Sequence, residues 1–196
     1  MRRALINATI GDGFFWKHPE SKNWNLVWNS IHKDWLIWKQ HNLLPDGLKS
    51  SVRVQRRAGA PGCFKNSKTL YSLKTHASTD IWMGQGMTAD DALDQADILD
   101  LAVWYLDDGS AVRRKDTKSS YRIYLCVGPL TANDLFPHME RILGMSRSSL
   151  GRVFRNNSKA SERNKSWVIP KAAAVQITKA ARDIAPECLK YKTPVW

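Results

Sequence analysis

Two short stretches of the chain hold the residue types that could do chemistry. LAVWYLDDGS, residues 101–110, is an apolar run that stops at Asp107, Asp108 and Gly109; LINATIGDGFF, residues 5–15, ends in Asp12-Gly13. Adjacent carboxylates on the last turn of an apolar helix repel one another, which costs stability. One explanation is local: the aspartates finish the helix, and Gly109 takes the left-handed conformation that ends it. The other is functional. If approximate twofold symmetry brings the two ends together, Asp12 and Asp108 share one groove, and a divalent cation between them offsets the repulsion. Oxygen ligands without thiolate or imidazole favour Mg2+, or Mn2+ in its place. The carbonyls of Gly11 and Asp107 add oxygens and the right dipole sign at the two helix ends. A metal pair flanked by basic strands can hydrolyse phosphodiesters. One metal activates water, another steadies the leaving oxygen, and Lys or Arg offsets transition-state charge.

The rest of the chain must position such a site. With 196 residues it is long enough for one domain or two small ones. Lys and Arg outnumber Asp and Glu 30 to 18, a net charge of +12, so a polyanion is the expected partner, nucleic acid before membrane. No apolar run approaches the ~20 residues of a spanning helix. MRRAL leads straight into the first apolar run, so no targeting segment is expected. The expected setting is intracellular: bacterial or phage cytoplasm, or an organelle that encodes the protein. Cys63, Cys126 and Cys188 are odd in number and widely spaced, which fits a reducing compartment and no disulfide framework. The five histidines show no metal-site spacing.

The Asp-Gly pairs lie 96 positions apart, and at the same offset Glu20-Ser21-Lys22 meets Asp116-Thr117-Lys118 and Tyr71-Ser72-Leu73 meets Trp167-Val168-Ile169. Two copies of one unit are expected, 1–96 and 97–196, each read as α-β-β-α-β-β-α. The first helices are expected over residues 3 to 12 and about 97 to 107. Pro137 is expected to kink the helix in TANDLFPHMERILGM or restrict it to its first turn. Trp28, Trp35, Trp38 and Trp104 read as core. Trp24 and Trp167 flank basic loops, where packing is the stronger reading and base stacking the other.

Alternation in SVRVQRR sends Val52 and Val54 one way and Arg53, Gln55 and Arg57 the other. A polar strand face of that kind suits the major groove, where Arg reads guanine and Asn or Gln reads adenine. Further candidates for DNA contact are Lys17, Lys22, Asn25 and Lys74 in the first half. In the second they are Arg113, Arg114, Lys118, Arg122, Arg152, Arg155, Asn157, Lys159, Arg163 and Lys165. A solvated sheet face explains any one of them, but explains poorly the excess of cations along the second-half hairpins.

Taken together, the two Asp-Gly runs resemble the paired motifs of LAGLIDADG homing endonucleases. Leu5 to Gly13 is similar to a degenerate first copy. Leu101 to Gly109 is closer, resembling the "LAxWYxDDGS" form of one branch, and IAPECLKYK, with Tyr191 and Lys192, resembles that branch's ending. The resemblance implies an α/β (α+β) pseudo-dimer with central motif helices and two four-stranded antiparallel sheets forming a saddle on double-stranded DNA, in a monomer. It implies Asp12 and Asp108 as the acidic motif residues, one per half, and Lys192 as the basic residue that orients solvent. Gln85, in WMGQGMT, stands where the first half should have its lysine. One strand is therefore expected to be cut more slowly, unless another cation such as Lys74 substitutes. Ile10 and Leu106 replace an acidic motif position that varies in such motifs.

Three other readings stay open. Asp12 with Glu20-Ser-Lys22, and Asp108 with Asp116-Thr-Lys118, mimic the D…(E/D)xK pattern of another nuclease class, whose carboxylates sit on adjacent strands. The same fold also serves RNA maturases that act on their host intron RNA, and DNA-binding regulators that do not cleave. No code reads the target sequence from the strand residues.

Overall fold

The computed structural model describes residues 1–56, 68–78, 81, 86–113, 121–155 and 165–196. They fall into two compact units, Met1–Ala92 and Leu93–Trp196. The first runs α1 (Arg2–Ile10), β1 (Gly13–Trp16), β2 (Asn25–Ser30), α2 (Lys33–Asn42), β3 (Ser50–Arg56) and β4 (Leu70–Thr75), with α3 (Ala89–Gln95) at the boundary. The second runs α4 (Ile98–Asp108), β5 (Gly109–Arg113), β6 (Tyr121–Gly128), α5 (Ala132–Leu143), β7 (Arg152–Arg155), β8 (Lys165–Ile169) and α6 (Lys171–Ile184), closing in a 3-10 turn, Glu187–Lys192. Each unit holds one four-stranded antiparallel sheet. Their orders are alike, β1-β2-β4-β3 and β5-β6-β8-β7. No helix among the described residues is long and apolar enough to cross a membrane.

Register makes the likeness of the two sheets concrete. Gly13 faces Trp28, Trp28 faces Leu73, and Leu73 faces Val52. In the second sheet Gly109 faces Leu125, Leu125 faces Trp167, and Trp167 faces Val153. The four central residues, Trp28, Leu73, Leu125 and Trp167, are fully buried. One sheet carries Trp on its second strand and Leu on the next; the other carries them exchanged. The exchange conserves volume, which close-packed cores tolerate. It also corrects the repeat: Trp167 corresponds to Leu73, not to Tyr71, so the 96-residue offset holds at the Asp-Gly motif and drifts beyond it.

Local expectations were corrected in three further places. Gly109 is not left-handed: its φ of −85° and ψ of 160° are extended, because α4 passes directly into β5. A left-handed cap occurs instead at Gly144, φ 63°, behind α5. Glycine is required at 109 for space, since a Cβ there would lie 2.3 Å from the Tyr105 carbonyl oxygen. Gly13 is under the same pressure, with a Cβ position 2.5 Å from Trp28 Nε1 and 2.6 Å from Ala8 Cα. Second, α5 continues through Pro137 to Leu143. The proline is exposed and withdraws one N–H, while Leu135, Phe136, Met139 and Leu143 on the buried face and a Thr131–Asp134 capping box hold the helix. Third, a register shift between Val54 and Arg56 pairs Arg56 with Leu70, so the alternation expected in SVRVQRR stops at Gln55.

Candidate functional site

The two motif ends are built differently. α1 stops at Ile10, where the Gly11 amide closes the helix on the Asn7 carbonyl at 3.1 Å, and Asp12 lies exposed beyond it. α4 runs on through Asp108, so Asp107 and Asp108 stay on its last turn, half-buried. A capping box at Asp97 and Asp100 starts α4, whereas α1 has no side-chain cap.

Lys192 closes on the end of α4. Its Nζ donates to the carbonyls of Leu106, at 2.7 Å, and Asp107, at 3.0 Å. A cation is favoured there by the helix dipole. The Tyr105 hydroxyl donates in turn to the Lys192 carbonyl at 2.6 Å. Burial first, and the neighbouring Tyr191 second, push the Tyr105 hydroxyl well above the usual tyrosine range, so it remains a protonated donor. The structure therefore brings Lys192, Asp107 and Asp108 to one helix end.

Those oxygens are of the kind Mg2+ takes. Among the described residues no three His, Cys, Asp or Glu side chains cluster to cage a metal. One or two carboxylates completed by water and substrate phosphate oxygens is the shell Mg2+ ordinarily adopts, so the donors present fit it. One expectation changes: the Asp107 carbonyl accepts from Lys192, and an ion there must share that oxygen with an ammonium. The first half offers the Asp12 carboxylate and the Gly11 carbonyl. Gln85 lies outside the described residues.

The sheet faces sort the candidate DNA contacts. Register places Trp16, Asn25, Ser51, Arg53, Ser72 and Lys74 on one face of the first sheet, opposite Trp28 and Leu73. There a concavity of about 430 Å3 is lined by Asn25, Ser51, Arg53, Ser72, Lys74 and His76, among others. The Lys74 ammonium lies 3.5 Å from the centre of the Trp16 ring, so this cation is held on an aromatic face. Arg53 is exposed. Asn25 is buried and donates to the Thr75 carbonyl at 2.7 Å, which commits its amide to the sheet. Lys17 and Lys22 are exposed between β1 and β2, Lys17 standing 5.7 Å over the Trp24 ring. Glu20 is exposed in that same connection and on no strand, unlike the D…(E/D)xK arrangement.

On the second sheet Arg122 and Arg152 are exposed on the face of Val112, Tyr124 and Phe154, where the Tyr124 and Phe154 rings meet edge to face at 6.3 Å. Arg113 is exposed at the end of β5, in register with the opposite face. Lys165 donates to the Pro129 carbonyl at 2.7 Å and pairs with Arg155 in the ladder. Arg57, Arg114, Lys118, Asn157, Lys159 and Arg163 lie outside the described residues. Trp167 is core, its Nε1 donating to Leu150 at 2.6 Å. Sequence reasoning missed Tyr105, Trp16, Ser51, Ser72 and His76. Alternation in LYSLKT carried the signal for Ser72 beside Lys74; nothing local marked Tyr105.

No protein family and no curated protein matches the sequence. Solved structures do. The homing endonuclease I-WcaI, bound to its DNA recognition sequence, matches with a TM-score of 0.63 at 14% identity, covering 98% of this chain and 84% of that one. Mesophilic variants of the homing endonuclease I-DmoI match with a TM-score of 0.51 at 13% identity, covering 92% and 87%. With its two four-stranded antiparallel sheets, each begun by the glycine of an Asp-Gly pair, the chain has the fold of these homing endonucleases.

Proposed function

We propose that this protein is a site-specific homing endonuclease that cuts double-stranded DNA by metal-dependent phosphodiester hydrolysis. One active site would be centred on Asp12 and the other on Asp108. One observation carries the reading: over 98% of its length the chain has a homing-endonuclease fold, and in each half an aspartate immediately precedes the glycine that begins the sheet. Asp108 with Asp107, and Asp12 with the Gly11 carbonyl, are the groups to hold Mg2+ or Mn2+. The bound ion supplies an activated water and a counter-charge for the leaving oxygen. The protein's own part is positional and electrostatic. Lys192 holds an ammonium at the end of α4, where it orients solvent and offsets phosphate charge. Arg53, Lys74, Arg122 and Arg152 provide exposed or aromatic-backed cations for the DNA backbone and base edges. The chain acts as a monomer on this reading, since both halves are present in it.

The test is incubation with Mg2+ and a plasmid carrying the intron- or intein-free insertion site of the host locus. Linear product that EDTA abolishes is expected. The proposal is overturned if wild type fails to cut and Asp108→Asn binds and behaves identically. Tight binding of the intron RNA with rescue of splicing would move the reading to a maturase.

A further inference from the structure

The least expected contact at the end of α4 belongs to Tyr105. Its ring occupies the space a side chain at 109 would need: a Cβ on Gly109 would lie 2.1 Å from Tyr105 Cδ2 and 2.4 Å from Cε2. Its hydroxyl, on a fully buried residue, donates to the Lys192 carbonyl at 2.6 Å. Lys192 returns to the same helix through its side chain, on the Leu106 and Asp107 carbonyls. The lysine is thus gripped at its backbone and at its ammonium, and both grips belong to consecutive residues of α4. A lysine stem is otherwise flexible, with a strongly hydrated, rotatable head.

We propose that Tyr105 is the positioning residue of the second active site, pinning the backbone of Lys192 so that its ammonium rests at the motif-helix end beside Asp108. The inference rests on the nuclease reading. Among the described residues the first half shows no matching contact. At the motif offset Tyr105 corresponds to Thr9, whose hydroxyl donates to Leu5 in its own helix at 2.9 Å, and the space over Gly13 is filled by Trp28. Tyr105→Phe isolates the hydroxyl, because it keeps the ring that packs on Gly109. Misplacing a catalytic group by even about 1 Å costs on the order of 10²-fold in rate, so a partial release should cost roughly tenfold.

The experiment compares wild type and Tyr105→Phe in two ways. Acetylation by acetic anhydride, read by mass spectrometry, should label Lys192 several-fold faster in the variant. Lys190, which pairs with Glu187 at 2.6 Å in the same turn, should be unchanged and serves as the internal control. Cleavage of the target should show kcat lowered roughly tenfold with KM unchanged, and Lys192→Met added to Tyr105→Phe should lose less than it does in wild type. Unchanged Lys192 labelling refutes the contact. Faster labelling with wild-type kcat refutes its role in the reaction. A wild-type protein that cuts nothing refutes the nuclease reading, while the labelling still decides whether Tyr105 holds Lys192.

Discussion

The chain leaves its two motif helices by different routes. At the first, α1 ends at Ile10 and Asp12 stands exposed in the connection to β1. At the second, α4 holds Asp107 and Asp108 on its last turn, half-buried, and Gly109 is already strand. A ring covers each motif glycine, but the ring comes from Trp28 across the sheet in one case and from Tyr105 in the helix itself in the other. Among the described residues, the second arrangement alone also fixes a lysine, Lys192. Duplicated architecture therefore does not give duplicated contacts: the end of α4 is set by contacts within its own unit, and on the proposed reading its site is the faster of the two.

Substitutions at the glycines should produce the largest losses. In Gly109→Ala the new methyl meets helix backbone, and in Gly13→Ala it meets Ala8 backbone as well as Trp28. Each is expected to cost about 3 kcal/mol or more, read from urea unfolding midpoints. A loss below 1 kcal/mol at Gly109 would break the comparison there. Next come the exchanged tryptophans. Trp28→Leu and Trp167→Leu should each lose a few kcal/mol to cavity formation, on the order of 2–3. Trp167→Leu should lose about 1 kcal/mol more, because Trp167 donates to Leu150 whereas Trp28 Nε1 has no partner among the described residues. Equal losses would show that packing alone separates the sheets.

These examples also show what was legible in the sequence. The element order and Val52 opposite Arg53 followed from apolar patterning, which local chemistry encodes, whereas the two four-stranded sheets were expected through the family resemblance. The Trp–Leu exchange did not, because a fixed 96-residue offset cannot see connections of different length. Nor did the bulge at Gln55, or the extended conformation of Gly109, since Asp-Gly after a helix reads as a cap unless the partner of the next strand is known. Lys192 at the end of α4 was expected only through the family resemblance. Its grip by Tyr105 joins residues 87 positions apart, beyond any local signal.

Smaller effects sharpen the contrast between sheet faces. On the proposed reading, Lys74→Ala and Arg122→Ala should each lower the slope of log affinity against log salt by about 1, if both cations meet phosphate. Trp16→Ala should weaken binding only where Lys74 is present. The smallest effect is with pH. Hydrogen bonds from Thr88 and Thr131 hold the carboxyls of Asp91 and Asp134 below the ordinary aspartate range. Carboxyls depressed in the folded state stabilise it above their unfolded pKa, and that contribution is lost as pH falls through the lowered value. Asp91→Ala and Asp134→Ala should flatten the acid limb of stability slightly, seen in urea unfolding between pH 3 and 7.

The most direct test of the central claim is strand-resolved cleavage of a labelled duplex target by Asp12→Asn and Asp108→Asn in Mg2+. The account predicts that both variants fold and bind as wild type, that double-strand cutting is abolished or strongly reduced in each, and that the two differ in which strand is spared. Wild-type cutting of both strands by either variant would contradict it. So would loss of folding in both, which would return the two aspartates to the role of helix ends.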